Sequence, residues 1–181
     1  MKKLVFATLM CVAAMSAQAQ VITSETVNNV YEEVTNKADS KFAFNAEMTG
    51  KDITTMYVYS MEYGRKGAVT LKPHLKYDYS YAADGMLTSR VTSRWSDSLG
   101  DWTCAARHDY SFDNGCYCVE YSHYNHTANR FDQPVDKMVY LTTSGDDFDY
   151  VSCYHRKNPS SDYKLVSETY VTDVPQLLAV Q

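Results

Sequence analysis

Cys116, Cys118, His123 and His126 form a C-x-C-x4-H-x2-H cluster, and thiolates with imidazoles at short spacing are a zinc donor set. A strand through these residues would break the set. Side chains alternate along a strand, so the two cysteines would share a face with His126 while His123 points to the other. The expected reading is a thiol-bearing strand without metal. Asp146, Asp147 and Asp149 beside Gly145 resemble a fragment of a calcium loop, but the later bidentate glutamate is missing, which leaves a polar hairpin tip. The chain has no G-x-S-x-G elbow, H-E-x-x-H, phosphate-binding glycine loop or C-x-x-C. No catalytic residue, metal ligand or cofactor is therefore assigned. Triads assemble in space rather than in sequence, so an enzyme of unrecognised type stands as one alternative.

Aromatic chemistry is better represented. Sixteen tyrosines accompany six phenylalanines and two tryptophans. Tyrosine suits half-wet faces, because its ring packs while its hydroxyl stays hydrated. Much of this aromatic content is expected to be the core of a sheet. Trp95 and Trp102 are seven residues apart, and Tyr124 and Phe131 repeat that spacing. Left exposed at one end of the sheet, these four would stack on sugar rings or dock a partner.

The scaffold that must position them is a repeat. Gly85, Gly115 and Gly145 are turn glycines 30 residues apart, each between alternating strand-like runs. With Ala83-Asp84-Gly85 as a three-residue loop, Gly85 takes the left-handed position. Tyr77, Tyr79 and Tyr81 then share a face with Leu87, Val91 and Trp95, and Asp78 faces Arg90. Asn114-Gly115 is a strong two-residue hairpin signal. It places Phe112 opposite Tyr117, Tyr110 opposite Val119 and His108 opposite Tyr121. A turn at Gly145-Asp146 sets Leu141 opposite Tyr150. Tyr154 and Tyr163 flank the connection after this third hairpin, nine residues apart. Lys164 to Val171 reads as a last strand, closed off by Pro175.

Upstream, Met56 to Met61 is rich in strand formers. Gly64 and Gly67 mark a turn, and Pro73 fits a strand entrance or edge. Residues 20–40 divide evenly between a strand and a short helix or arm capped by Ser24. The expected fold is all-β: an antiparallel meander of eight to ten strands, built of hairpin units over about residues 76–166. Neighbouring units are expected to bury each other's aromatic faces. The pattern leaves open a single twisted sheet or one partly folded over.

Residues Met1 to Ala19 read as a secretory signal peptide. Lys2 and Lys3 supply the charged start, the apolar run from Leu4 to Met15 is short for a membrane span, and Ala17-Gln18-Ala19 places cleavage between Ala19 and Gln20. Cys11 invites an acylated-lipoprotein alternative, against which stands the bulky Met10. Cleavage leaves a single exported domain, 20–181. Losing two lysines takes the net charge from −5 to −7, which repels nucleic acid. No second run is long enough to span a membrane, so a soluble periplasmic or extracellular protein is expected. Cys104, Cys116, Cys118 and Cys153 remain. In the registers above Cys104 points away from Cys116 and Cys118, and Cys153 lies two strands from Cys118. No disulfide is assigned, because that separation exceeds the reach of the bond.

Phe112-Asp113-Asn114-Gly115 and Tyr81-Ala-Ala-Asp84-Gly85-Met-Leu87 resemble the tyrosine–aspartate (YD/Rhs-like) repeats of large bacterial surface and toxin-shell proteins. The whole chain resembles small exported Bacteroidetes proteins of a family of unknown function, domain of unknown function 3836. Its length, the Ala-Gln-Ala-Gln end of its signal, and its Tyr-x-Tyr…Asp-Gly…Trp pattern carry the likeness. The resemblance implies export and an all-β fold, and no catalytic residues. It also makes Asp97-Ser98-Leu99 similar to the sites at which exported proteins of that phylum are O-glycosylated, at Ser98. The expected function is a non-enzymatic binding module for a glycan or an envelope protein, in an unassigned oligomeric state. A structural or interaction protein acting through sheet edges is the second alternative.

Overall fold

The computed structural model describes residues 22–37, 41–113, 116–142 and 149–171. The expected signal peptide with its Ala19–Gln20 junction, the turns expected at Asn114-Gly115 and Gly145-Asp146, and Pro175 lie outside the described residues. One helix, α1 (Ser24–Asn36), precedes ten strands. These are β1 (Phe42–Thr49), β2 (Asp52–Tyr63), β3 (Val69–Tyr81), β4 (Leu87–Ser96), β5 (Asp101–Asp113), β6 (Cys116–Asn125), β7 (Arg130–Phe131), β8 (Asp136–Thr142), β9 (Asp149–His155) and β10 (Lys164–Val171).

Nine strands form one antiparallel meander in the order β1-β2-β3-β4-β5-β6-β8-β9-β10, and the two-residue β7 pairs with the end of β6. The sheet is open, with β1 and β10 at its edges. The repeat units therefore hydrogen-bond edge to edge and do not stack face on face. What covers their tyrosines is α1 and the chain just before it.

The segment before β1 is helical although Val, Thr and Asn are mediocre helix formers. Tertiary packing compensates. Val27 and Val30 are buried, and Val27 packs with Ile53, Met56, Val58 and Tyr77. Asn28 donates to Lys51 O at 2.8 Å and accepts from Ile53 N at 3.3 Å, which pins the helix to the β1–β2 turn. The cap is Thr23, not Ser24: Thr23 and Thr26 exchange side-chain-to-backbone bonds as a capping box.

The face under α1 holds a second cluster of Leu87, Tyr110, Tyr117 and Val119, extended by Ile22, Tyr79, Tyr81, Met138 and Tyr140. We call this the helix face and its reverse the open face. Hairpins two and three keep the expected pairs: Phe112 with Tyr117, Tyr110 with Val119, His108 with Tyr121, and Leu141 with Tyr150. The first hairpin departs. Its turn is as expected, with Gly85 at φ 84° and Tyr81 opposite Leu87. A bulge at Thr88 then shifts the register by one, so Arg90 faces Tyr79 and Asp78 faces Val91. Arg90 turns onto the helix face, while Val91 and Trp95 turn onto the open face.

Two other expectations are corrected by bulges. Pro73 lies inside β3, opposite Tyr59, where the β2–β3 register shifts; the irregularity accommodates its missing donor. On β5, Cys104 pairs with Ser93 and Ala106 with Thr92, so the extra residue Ala105 flips Cys104 onto the open face.

Candidate functional site

The aromatic residues divide between the two faces. Tyr77, Tyr110 and Tyr117 are buried on the helix face, and burial pushes the Tyr79, Tyr81 and Tyr117 hydroxyls far above the ordinary tyrosine range. Tyr140 is pushed up to about 12, mainly by burial. These hydroxyls stay protonated and serve packing.

Trp95, Trp102, Tyr124 and Phe131 all come to the open face, near the end where β4 turns into β5 and β6 into β7. Each is half-buried. Trp95 pairs across the strands with Trp102, with ring centroids 5.3 Å apart at 75°. Tyr124 pairs with Phe131 at 5.0 Å and 75°. Both are edge-to-face contacts. The rings extend over β2, where Tyr57 lies 6.0 Å from Trp102 and 6.5 Å from Tyr59. Small residues lie among them: Ser93 and Ser122 are buried although α1 packs on the other face.

Cations interleave with the rings. Arg107 lies 5.0 Å from the Phe131 centroid and donates to Asp109 at 2.8 Å. Arg156 lies 4.6 Å over Tyr163. It donates from Nε and Nη2 to Pro134 O and from Nη1 to Pro159 O. Tyr154 and Tyr163 do not repeat the paired geometry, because Tyr154 faces Leu165 and Tyr163 lies beyond the strand. Arg107 was legible from the Asn114-Gly115 register, which puts it opposite Ser122 and beside Tyr124.

Ser98 lies exposed in the turn between Trp95 and Trp102, its hydroxyl 3.0 Å from that of Ser96. The zinc-like set does not assemble. Cys116 and Cys118 lie on the open face and His123 on the helix face, and His126 packs 5.1 Å from Tyr124. Among the described residues no group of three or more His, Cys, Asp or Glu is placed to hold a metal. Asp149 begins β9; Asp146 and Asp147 lie outside the described residues. None of Cys104, Cys116, Cys118 and Cys153 is in a disulfide.

Sequence reasoning missed a polar group on the helix face over β6, β8 and β9, away from α1. His155 Nδ1 is 2.6 Å from Asp136 Oδ1, and Tyr121 Oη is 3.3 Å from His123 Nδ1. Deeper in, Arg90 Nη2 meets His108 Nδ1 at 3.3 Å. Strand parity beyond Asn114-Gly115 locates Tyr121 and His123, but only the Thr88 bulge brings in Arg90.

A family model described as "Family of unknown function (DUF3836)" matches residues 1–142. The fold resembles the crystal structure of a protein with unknown function from Bacteroides fragilis, with a TM-score of 0.61 and 23% identity over 78% of this chain and 97% of that one. A DUF3836 family protein from Bacteroides vulgatus aligns with a TM-score of 0.46 and 21% identity, over 51% of this chain and 89% of that one. One from Parabacteroides distasonis aligns at 0.48 and 18%, over 54% and 87%. No curated protein matches the chain.

Proposed function

Because this chain belongs to the DUF3836 family, whose function is unknown, its role must be argued from its own surface, and we propose that it is an exported, non-enzymatic binding module that holds a glycan or protein of the cell envelope at Trp95, Trp102, Tyr124 and Phe131. The observation that carries this reading is the pair of edge-to-face aromatic contacts on the open face, at 5.3 and 5.0 Å. Burying aromatic rings only half-way forgoes stabilisation unless something else covers them. Export rests on the charged start, short apolar run and A-x-A site of residues 1–19.

Envelope extracts and a glycan array, probed with wild type and with a Trp102→Ala/Phe131→Ala double variant, test the site. Retention of a ligand by wild type and its loss in the folded double variant is the expected result. Equal retention by both would place binding elsewhere.

The open meander favours one second reading, in which the edges at β1 and β10 pair with a strand of a partner. A proline at a donor position of β1 or β10 would then abolish capture, while the aromatic double variant would not.

A further inference from the structure

The Trp95/Trp102 and Tyr124/Phe131 hairpins are copies of one another. Their positions are offset by 29 residues throughout. Four turn residues, 97–100 and 126–129, separate each pair of strands. The last turn residue is left-handed in both, Gly100 at φ 64° and Asn129 at φ 51°. The next pair inward is the aromatic one, and the interplanar angle is 75° in both.

We propose that the ligand is a linear, uncharged glycan lying across both hairpins, with Trp95/Trp102 and Tyr124/Phe131 as two equivalent sugar-stacking subsites. This rests on the binding-module reading above and goes further by naming the ligand class. Three observations carry it. The two corners are two strand spacings apart across the sheet, roughly 9.5 Å, and the β5–β6 register sets Trp102 about two to three residues beyond Tyr124 along the strands, ~7–10 Å, a diagonal that a short run of linked pyranose rings covers. An edge-to-face pair offers one ring face and one ring edge at an angle, which suits the apolar C–H face of a sugar while its hydroxyls stay wet. The two neighbouring guanidiniums have donors committed, Arg107 to Asp109 and Arg156 to the Pro134 and Pro159 carbonyls, so neither presents a free fork to the carboxylates of an anionic polymer.

A protein partner is the weaker fit. Protein docking surfaces concentrate their aromatic anchors in one dry centre. Here the anchors are split between two corners, and Arg107, paired with Asp109, lies against the Phe131 ring of one of them, an arrangement matched by a ligand that repeats.

The only two tryptophans of the chain both lie in one subsite, so their emission reports on it in the unmodified protein. Uncharged gluco-, manno- and xylo-oligosaccharides, from disaccharides to octasaccharides, would be titrated against the full exported protein by calorimetry and by tryptophan emission. We expect at least one series to bind with a change in emission and to gain about tenfold or more in affinity once the chain spans both corners. Phe131→Ala should return the long glycan to the affinity of the short one. Thermal melts establish that each variant is folded. Binding without length dependence, without an emission change, or stronger to a polyuronate at low salt would overturn the proposal and leave the binding-module reading standing. A protein captured from envelope extract and lost in the aromatic double variant, with no glycan bound, would do the same. Failure of both glycan and extract to engage this face would remove both.

Discussion

Arg90 Nη2 lies 3.3 Å from His108 Nδ1, and both side chains are buried on the helix face. A guanidinium only donates, so Nδ1 must accept and the imidazole is neutral. Burial, aided by the Arg90 charge, pushes His108 down from 6.5 to about 3. The folded state thus refuses a proton that the unfolded chain accepts below pH 6.5. The resulting stability is complete above that pH and is lost as the pH falls toward 3. Unfolding at pH 7 and pH 4 should differ by about 3 kcal/mol from this residue alone. A His108→Leu variant should lose most of that difference, and an unchanged pH slope in the variant would show that other groups set it.

Asn129 is the one non-glycine residue among those described with a left-handed backbone, and its Oδ1 accepts from Tyr124 Oη at 2.6 Å. Asn129→Ala loses both the tolerance for that conformation and the acceptor. It should destabilise the protein by about 1–2 kcal/mol in urea. Asn129→Gly should cost less, because it keeps the backbone while losing only the acceptor. Equal effects would assign the cost to the hydrogen bond alone.

The Thr88 bulge sets which face Trp95 joins. Deleting Thr88 removes the extra residue itself, so Ser89 stays opposite Ser80 and Arg90 opposite Tyr79 in an unbroken ladder, and Trp95 keeps to the open face. The deletion product should be monodisperse by size-exclusion chromatography, with native tryptophan emission. An aggregated product or a shifted emission would show that this residue does not set the faces.

Cys118 is opposite Val139 on the open face, and Cys153 opposite Met138 on the helix face. They point away from each other through the sheet. Cys104 shares the open face with Cys116 and Cys118, but none of the three is in a disulfide. Thiol titration of the denatured, unreduced exported protein should find four free cysteines. Two or fewer would require a bridge that this sheet order does not permit.

Ser98 is exposed in its turn beside Leu99, which is itself 70% exposed. Mass spectrometry of protein exported by its native host should show an N-terminus at Gln20 and a glycan on Ser98, absent in Ser98→Ala. An acylated Cys11 or an unmodified Ser98 would count against these assignments separately.

Local chemistry written in the sequence determined the meander. The Asn114-Gly115 and Gly145-Asp146 signals predict hairpin registers because few residues adopt such turn backbones, and the pairs they predict, His108 with Tyr121 and Leu141 with Tyr150, are the observed ones. The seven-residue spacing placed Trp95 and Trp102, and Tyr124 and Phe131, at the two ends of a connection, and the strand registers make each a cross-strand pair. Two things were beyond its reach. The helix depends on contacts of Val27 and Asn28 with β2 and the turn before it, which no propensity contains. The allotment of side chains to faces depends on single extra residues, Thr88 and Ala105. A period of two inverts at every bulge, and a bulge is chosen by the fit of the whole sheet rather than by its own residue. That is why Arg90 ended beside His108 in the interior, and why Trp95 came out beside Trp102 on the surface.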